Sequence, residues 1–472
     1  GQIETADQSL IDVAQLLETT DQLANPMRAA LSGRALAIQA FIASLRGDFV
    51  GSAQFARQAL DLLPASEQAW RSGVTITLGE ACAAQGQMMA AQQFRAEALE
   101  LSQSAGNSNI IMIANLNLAE TLWHQGQIMD VIEICELQMQ FAADHDLTET
   151  PIIGWLLGLW GAGLAELNQI DQALALSRKG VEVAELGQDM FYISYSYMYR
   201  VRILFSAGDW STAESLLQEM SHTDALAPWV TAQISAWQIR IWLAQDKLDL
   251  AVQWLHENSP RIDGELPFVH EADYVAVARV LLAQGRLDTA ADLLTRLQEV
   301  AEIGGRYLRV IELLLLLSIA AQANNDLSQA LSRLEQALIL GESRGMIRTF
   351  VDEGPDLARL LYAALKQNIT PEYVQQIIAA FPIETPLSTA VHTSSDVYSS
   401  SEDAWVEPLT NRETEILQLI SEGLTNKEIG SRLYISANTT KAHLRNIFGK
   451  LGVKNRTLAV AKGRTLGFII DH

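Results

Sequence analysis

The sequence predicts an all-α protein in two parts, a long solenoid of helical hairpins and a short helical bundle at the C-terminal end. Three observations carry this expectation. Single turn-forming residues recur about every forty positions over the first three quarters of the chain. A Ser/Thr-rich stretch then interrupts the apolar periodicity. Beyond it come two helix-capping boxes and a basic excess in an otherwise acidic chain.

The turn residues are Gly47, Gly86, Gly126, Asn168, Gly208, Asp246, Gly285 and Asn325, spaced 39, 40, 42, 40, 38, 39 and 40 apart. Gly, Asn and Asp tolerate the left-handed backbone that ends one helix and turns into the next. Small residues often follow twelve positions later, at Ala59, Ala98, Gly180 and Ala337. There they let neighbouring helices approach closely. One hairpin cannot bury its apolar face alone, so such units must stack into a continuous core. The first unit, Gly47-Asp48-Phe49 through Ala59-Leu60 to Pro64, resembles the tetratricopeptide pattern. Its period exceeds the ~34 residues of that pattern. The array is expected over residues 1–345.

At 472 residues the chain is too long for one compact core. Its 49% hydrophobic and 19% charged residues are those of a globular protein. Cys82 and Cys135 are too few for a disulfide framework and read as buried thiols in a reducing cytoplasm. No signal peptide leads the chain. The most membrane-like stretch, Pro151 to Ala165, holds four glycines and falls short of the ~20 apolar residues a span needs. A soluble protein without membrane partners is expected.

After Gly345 the pattern changes. Met346-Ile347-Arg348-Thr349-Phe350-Val351-Asp352-Glu353-Gly354 precedes Pro355, a residue suited to the first helical position. Helices near 355–367 and 371–381 are expected to cap the array over 346–382. Residues 383–406 contain six serines and three threonines. That composition suits a flexible linker.

The last part, 407–472, holds ten Lys/Arg against six Asp/Glu, a surplus of four in a chain of net charge −23. An acidic body with a basic end suggests that the end alone meets a polyanion. Thr410-Asn411-Arg412-Glu413 and Thr425-Asn426-Lys427-Glu428 are capping boxes. Ile416, Leu417 and Ile420 form an apolar stripe, and Gly423 ends the first helix. Ile429 and Leu433 face inward from a second, short helix. Ser436 caps a third, about 437–451, in which Thr440, Leu444, Ile447, Phe448 and Leu451 share one face. Lys441 and Arg445, four apart and flanked by Asn438 and Ala442, share another. A cationic face with a small residue in it suits a DNA major groove, where Arg bonds guanine bidentately. The charge pattern alone also suits a solvated helix face. Two short helices before a longer one make a helix-turn-helix.

Residues 409–467 resemble the LuxR-type helix-turn-helix family, a four-helix DNA-binding domain of bacterial regulators. The resemblance rests on Leu409-Thr410, Arg412-Glu413, Gly423, Thr425 to Ile429, Leu433, Ile435-Ser436, Thr439, Lys441, His443, Ile447, Lys450-Leu451, Val453, Arg456, Ala459 and Gly467. It implies that Lys441, Ala442 and Arg445 read bases. It puts Asn426, Lys427, Thr439, Thr440, His443 and Lys450 near phosphates, with structural packing an equal alternative for His443. Arg456 would be a structural support of the recognition helix. Family domains dimerise through the fourth helix, here about 455–468, which points to Val460 and Arg464. Thr440 departs from the family, which usually has Val there.

The wider order of parts, helical repeats, then Arg348 to Gly354, then a linker and this domain, resembles the MalT-like large regulators. The resemblance implies a cytoplasmic bacterial transcription regulator of activator type. Its partners would be double-stranded DNA, a second copy or higher homo-oligomer, RNA polymerase, and an inducer or regulatory protein at the array. Such proteins normally begin with an ATP-binding module. No G-x-x-x-x-G-K-[ST] occurs here, so ATP is not assigned to this chain and no cofactor is expected.

For the array one ligand groove suggests itself. Trp155 and Tyr195 stand thirteen residues before turn residues, a position that lines the concave side of tetratricopeptide-like hairpins, with Tyr199 and Arg202 nearby. Aromatic faces beside a polar group suit a sugar or peptide; the same residues also suit plain inter-helix packing. The eight histidines are scattered, H-E-x-x-H and G-x-S-x-G are absent, and neither enzyme activity nor a metal site is expected. The competing reading is a protein-interaction scaffold, with the repeats holding a peptide or regulator and the C-terminal domain docking protein.

Overall fold

The computed structural model describes residues 25–223, 226–258, 262–381, 411–421, 424–433, 440, 444, 447, 450 and 456–465. The Ser/Thr-rich stretch at 383–406 lies outside them. The chain divides into two units, Gly1–Phe381 and Pro382–His472. Among the described residues there are helices and no strands.

In the first unit each turn residue joins two antiparallel helices. The pairs are α1 (Asn25–Leu45) with α2 (Phe49–Leu62), α3 (Gln68–Ala84) with α4 (Met88–Ala105), α5 (Ser108–His124) with α6 (Ile128–Asp144), and α7 (Ile152–Glu166) with α8 (Ile170–Leu186). Then follow α9 (Met190–Ser206) with α10 (Trp210–Ser221), α11 (Pro228–Ala244) with α12 (Leu248–Asn258), α13 (Glu271–Ala283) with α14 (Leu287–Ile303), and α15 (Tyr307–Ala323) with α16 (Leu327–Glu342). All eight turn residues of the sequence pattern adopt positive φ, from Gly47 at 78° to Asn325 at 61°. In three hairpins the next residue caps the second helix, as Asp48, Asp209 and Asp326 accept from the amides of Gly51, Thr212 and Gln329. Ala59, Ala98, Gly180 and Ala337 are buried where hairpins meet.

The stretch that looked most like a membrane span is α7. Every residue of this helix except Trp160 is buried. It packs against α5, α6, α8, α9 and α17 (Arg348–Val351), so it has no polar face to show. Its glycines serve close approach. A Cβ on Gly180 of α8 would stand 2.9 Å from the Gly154 carbonyl oxygen, and one on Gly154 would stand 2.5 Å from the Ala184 Cβ. No described helix is long and apolar enough to cross a membrane.

The array curves until distant repeats touch. Arg306 Nη1 donates to the Gly86 carbonyl (2.7 Å), and the Met88 amide donates to the Gly304 carbonyl (2.9 Å). Arg344 Nε donates to the Gln125 carbonyl (3.2 Å). The first and third of these join residues 220 and 219 apart. At a repeat of about forty residues this is between five and six hairpins. After the last hairpin, α17, α18 (Pro355–Lys366) and α19 (Pro371–Ala379) continue the core, with Pro at the start of α18 and α19. Phe350, Leu357, Leu360, Leu361, Val374 and Ile377 are buried there. Gly341 leaves room for Phe350 and Tyr373, whose ring atoms and hydroxyl would lie within 2.7 Å of a Cβ at that position.

The second unit contains α20 (Asn411–Ser421), α21 (Asn426–Leu433) and α22 (Arg456–Thr465). Ile416, Leu417, Leu419, Ile420, Ile429, Leu444, Ile447 and Ala459 form its core.

Candidate nucleic-acid interface and inner face of the array

In the second unit the local structure follows from capping and packing. The Thr425 amide and hydroxyl both donate to Glu428 Oε2 at 2.7 Å, and the Glu428 amide donates back to Thr425 Oγ1 at 3.4 Å. This reciprocal box opens α21 and holds the Glu428 carboxyl below its usual range. Lys427 is exposed on the same first turn, where a helix N-terminus already favours an anion. Residues 440, 444 and 447 are buried, the helical spacing of a packing stripe.

Thr440 therefore corrects one expectation. Its side chain has no exposed surface, so it belongs to the packing stripe and offers nothing to a phosphate. Lys450 is half-buried. Lys441, Ala442, His443, Arg445 and Thr439 lie outside the described residues, as do the side chains of Asn426 and Arg464. Val460 is half-buried against the core. Arg456 Nη2 donates to the carbonyls of Ile420 (3.2 Å) and Leu424. These contacts tie α22 to the end of α20 and the turn after it. Burial lowers the pKa of this guanidinium.

On the array the four groove residues belong to one connected cluster, Arg202 reaching it through Trp123. Trp155 and Tyr199 are buried. Trp155 Nε1 (3.2 Å) and the Tyr199 hydroxyl (2.6 Å) both donate to Oε2 of Glu120. Tyr195 stacks on Trp155 at 4.8 Å and lies 4.8 Å from Trp229 on its other side. Arg202 bonds Glu166 at 2.9 Å and lies over the Trp123 ring. Packing therefore claims Trp155 and Tyr199, because a buried carboxylate needs their donors. Burial pushes the Glu120 carboxyl up, and it pushes the hydroxyls of Tyr195 and Tyr199 well up. An open apolar groove of about 330 Å³ lies instead against α1 and α3, lined by Ile38, Phe41, Trp70 and Val74 among others.

Sequence reasoning singled out Arg202 but missed the other charged residues of the inner helices that share its register. Arg202, Arg240 and Arg279 each stand six residues before a turn residue, Gly208, Asp246 and Gly285. Glu80 and Glu120 hold the same register before Gly86 and Gly126, and Phe41 before Gly47. That register was the available signal. Arg279 bonds Glu353 and Glu312, both at 2.7 Å, and Arg240 bonds Glu353 at 2.8 Å. Arg306 and Arg309 share Glu271. The cations Arg309, Arg279 and Arg240 overcome burial and hold Glu312 far below the carboxylate range. No group of three or more His, Cys, Asp or Glu that could hold a metal occurs among the described residues.

Comparison with known proteins matches residues 33–367 to the MalT-like TPR region and residues 407–462 to the luxR family of bacterial regulatory proteins. The HTH-type transcriptional regulator MalT of Vibrio cholerae is 24% identical over 96% of this chain and 52% of its own length. That of Klebsiella pneumoniae is 25% identical over 96% of this chain and 52% of its own length. The chain thus spans about half the length of these curated relatives. A tetratricopeptide repeat protein from Parabacteroides merdae aligns with 58% of this chain and 98% of its own at a TM-score of 0.37 and 15% identity, too slight a likeness to argue from. The chain belongs to the family defined by the MalT-like TPR region, and it carries a LuxR-type helix-turn-helix domain behind that region.

Proposed function

We propose that this chain is a sequence-specific, DNA-binding transcription regulator of activator type, whose repeat array senses an inducer or partner and controls oligomerisation. The match of residues 407–462 to luxR-family regulatory proteins carries the reading. The buried stripe at 440, 444 and 447 supports it. Lys441 and Arg445 fall off that stripe by helical register, which suits base reading with Ala442 between them. Lys427, Lys450, Asn426, Thr439 and His443 are then the phosphate-side residues. Val460 and Arg464 on the fourth helix are the proposed contact between two copies. A domain with a surplus of four positive charges is a weak anchor by itself. Two copies add their energies and set two recognition helices about one DNA turn, ~34 Å, apart.

The test is site selection from a random DNA library by the full chain, with oligomeric state and salt dependence measured alongside. The expected outcome is a preferred two-fold site, bound more weakly as salt rises. Absence of any preferred sequence overturns the reading. Retention of a protein partner in place of DNA would favour the scaffold reading.

A further inference from the structure

Arginine occupies one register on three successive inner helices, at Arg202 of α9, Arg240 of α11 and Arg279 of α13. Their side chains are 19%, 14% and 12% exposed. Cations this poorly solvated need counter-charges, and Arg240 and Arg279 are close enough to share theirs. Glu353, only 2% exposed, bonds both Arg240 and Arg279. It belongs to the short segment after the last hairpin. Four more residues of that segment are bonded to the inner helices, with Phe350 and Val351 buried between them. The Ile347 amide donates to the Glu166 carbonyl (3.0 Å), and the Thr349 amide (2.7 Å) and hydroxyl (3.0 Å) donate to the Glu166 carboxylate. Asp352 accepts from the Ser206 hydroxyl, and Arg348 donates to the Ser206 carbonyl. Five of the seven residues 347–353 thus grip α7, α9, α11 and α13, four inner helices that sequence places in successive repeats.

We propose that residues 347–353 form an internal tie that fixes the spacing of these four helices and reports any change in that spacing to the cap helices α18 and α19. The physical ground is the mechanics of a solenoid. Each repeat contacts chiefly its neighbours, so curvature is a soft coordinate, summed over many small inter-repeat angles. The tie crosses that coordinate with short, directional, charged bonds. Such bonds do not stretch; a shift of about 1 Å exchanges them for water, which makes the response stepwise. Gly354 and Pro355 follow directly, so release of Glu353 acts on the start of α18. The tie lies within the array and does not depend on DNA binding.

The test uses the full chain with Glu353→Gln, which keeps the shape and removes the charge, and Thr349→Val, a milder change on the α7 side. Peptide-resolved hydrogen exchange is read together with a spin-label distance between exposed Lys179 on α8 and exposed Glu335 on α16. For Glu353→Gln the expected result is exchange at least ten-fold faster in the last turns of α11 and α13 and in α18–α19. Exchange in α1 and α2 should not change, and the distance distribution should broaden. Thr349→Val should give the same pattern in smaller measure, and it carries the test if Glu353→Gln fails to fold. Unchanged exchange in α18–α19 with an unchanged distance overturns the proposal. So does a uniform rise from α1 to α19, which is general destabilisation without transmission.

Discussion

His124 lies 3.7 Å from the carboxylate of Glu120, one helical turn earlier on α5, in a setting that opposes the charging of either group. Partial burial, with the His124 side chain 34% exposed and Arg306, Arg309 and Arg95 nearby, lowers its pKa to about 3, while burial raises that of Glu120. An unfolded histidine titrates near ~6.5. Below that pH the unfolded chain takes up a proton that the folded chain refuses, so His124 removes stability progressively as pH falls from ~6.5 toward 3. Glu120 works in the opposite sense, since the folded chain keeps its proton to higher pH. Thermal unfolding from pH 7.5 to 5 should therefore show a flatter dependence for His124→Gln than for the natural sequence. Identical slopes would mean that the imidazole takes up its proton at the same pH in the folded array as in the unfolded chain.

Arg306 joins α15 to both Glu271 and the Gly86 carbonyl while itself only 2% exposed. Arg306→Ala leaves Glu271 with Arg309 alone and removes one of the three bonds described between distant repeats. A loss of about 3 kcal/mol is expected, the low end for breaking a buried pair because one partner remains. Denaturant unfolding followed by circular dichroism measures it, and a loss below about 0.5 kcal/mol, the range of ordinary surface changes, would show the contact to be incidental.

Gly180→Ala puts a methyl group 2.9 Å from the Gly154 carbonyl oxygen. Backbone cannot yield as a flexible side chain does, so α7 and α8 must part. The expected cost is about 1–3 kcal/mol, read as a lower unfolding midpoint. Gly208→Ala, at a positive-φ turn with open space around it, should cost less than Gly180→Ala, since backbone strain alone is at issue.

Thr425→Ala removes the hydroxyl from the box that opens α21. About 1 kcal/mol of local stability should go, seen as faster amide exchange in Asn426–Leu433. DNA affinity should fall with base preference unchanged, because the helix is loosened and its readout is not altered.

Arg445→Ala should cost about 1–3 kcal/mol of DNA affinity and relax preference at its base pair. Lys450→Ala should weaken all sequences alike and reduce the salt slope by about one. Binding titrations against the selected site and a scrambled one, at several salt concentrations, separate the two outcomes. Indistinguishable behaviour of the two variants would deny that the third helix is the reading element.

Much of the array is legible because its grammar is local. A left-handed turn needs Gly, Asn or Asp, and all eight such positions from Gly47 to Asn325 take positive φ. A cap needs a side-chain acceptor and a donor three residues on, and Thr425 with Glu428 supplies both. What sequence spacing does not encode is pitch. Whether Trp155 faces an opening or a neighbour depends on small angles between hairpins, and those angles turn a plausible groove into packing around Glu120. The same holds for Gly86 and Arg306, whose meeting depends on the sum of several such angles. Thr440 was legible in one respect and misleading in another. Its spacing from Leu444 and Ile447 places it in the core, while its hydroxyl invites a phosphate; burial decides for the core.

Solenoids ordinarily tolerate the gain or loss of a whole unit, because every unit sees the same neighbours. The bond from Arg306 to Gly86 and the one from Arg344 to Gln125 remove that freedom here. Adding or deleting one hairpin between them would carry each arginine past its carbonyl by a full step. The count of hairpins between these partners is thereby held as an integer constraint, and variation in length is to be sought outside the interval from Gly86 to Arg344.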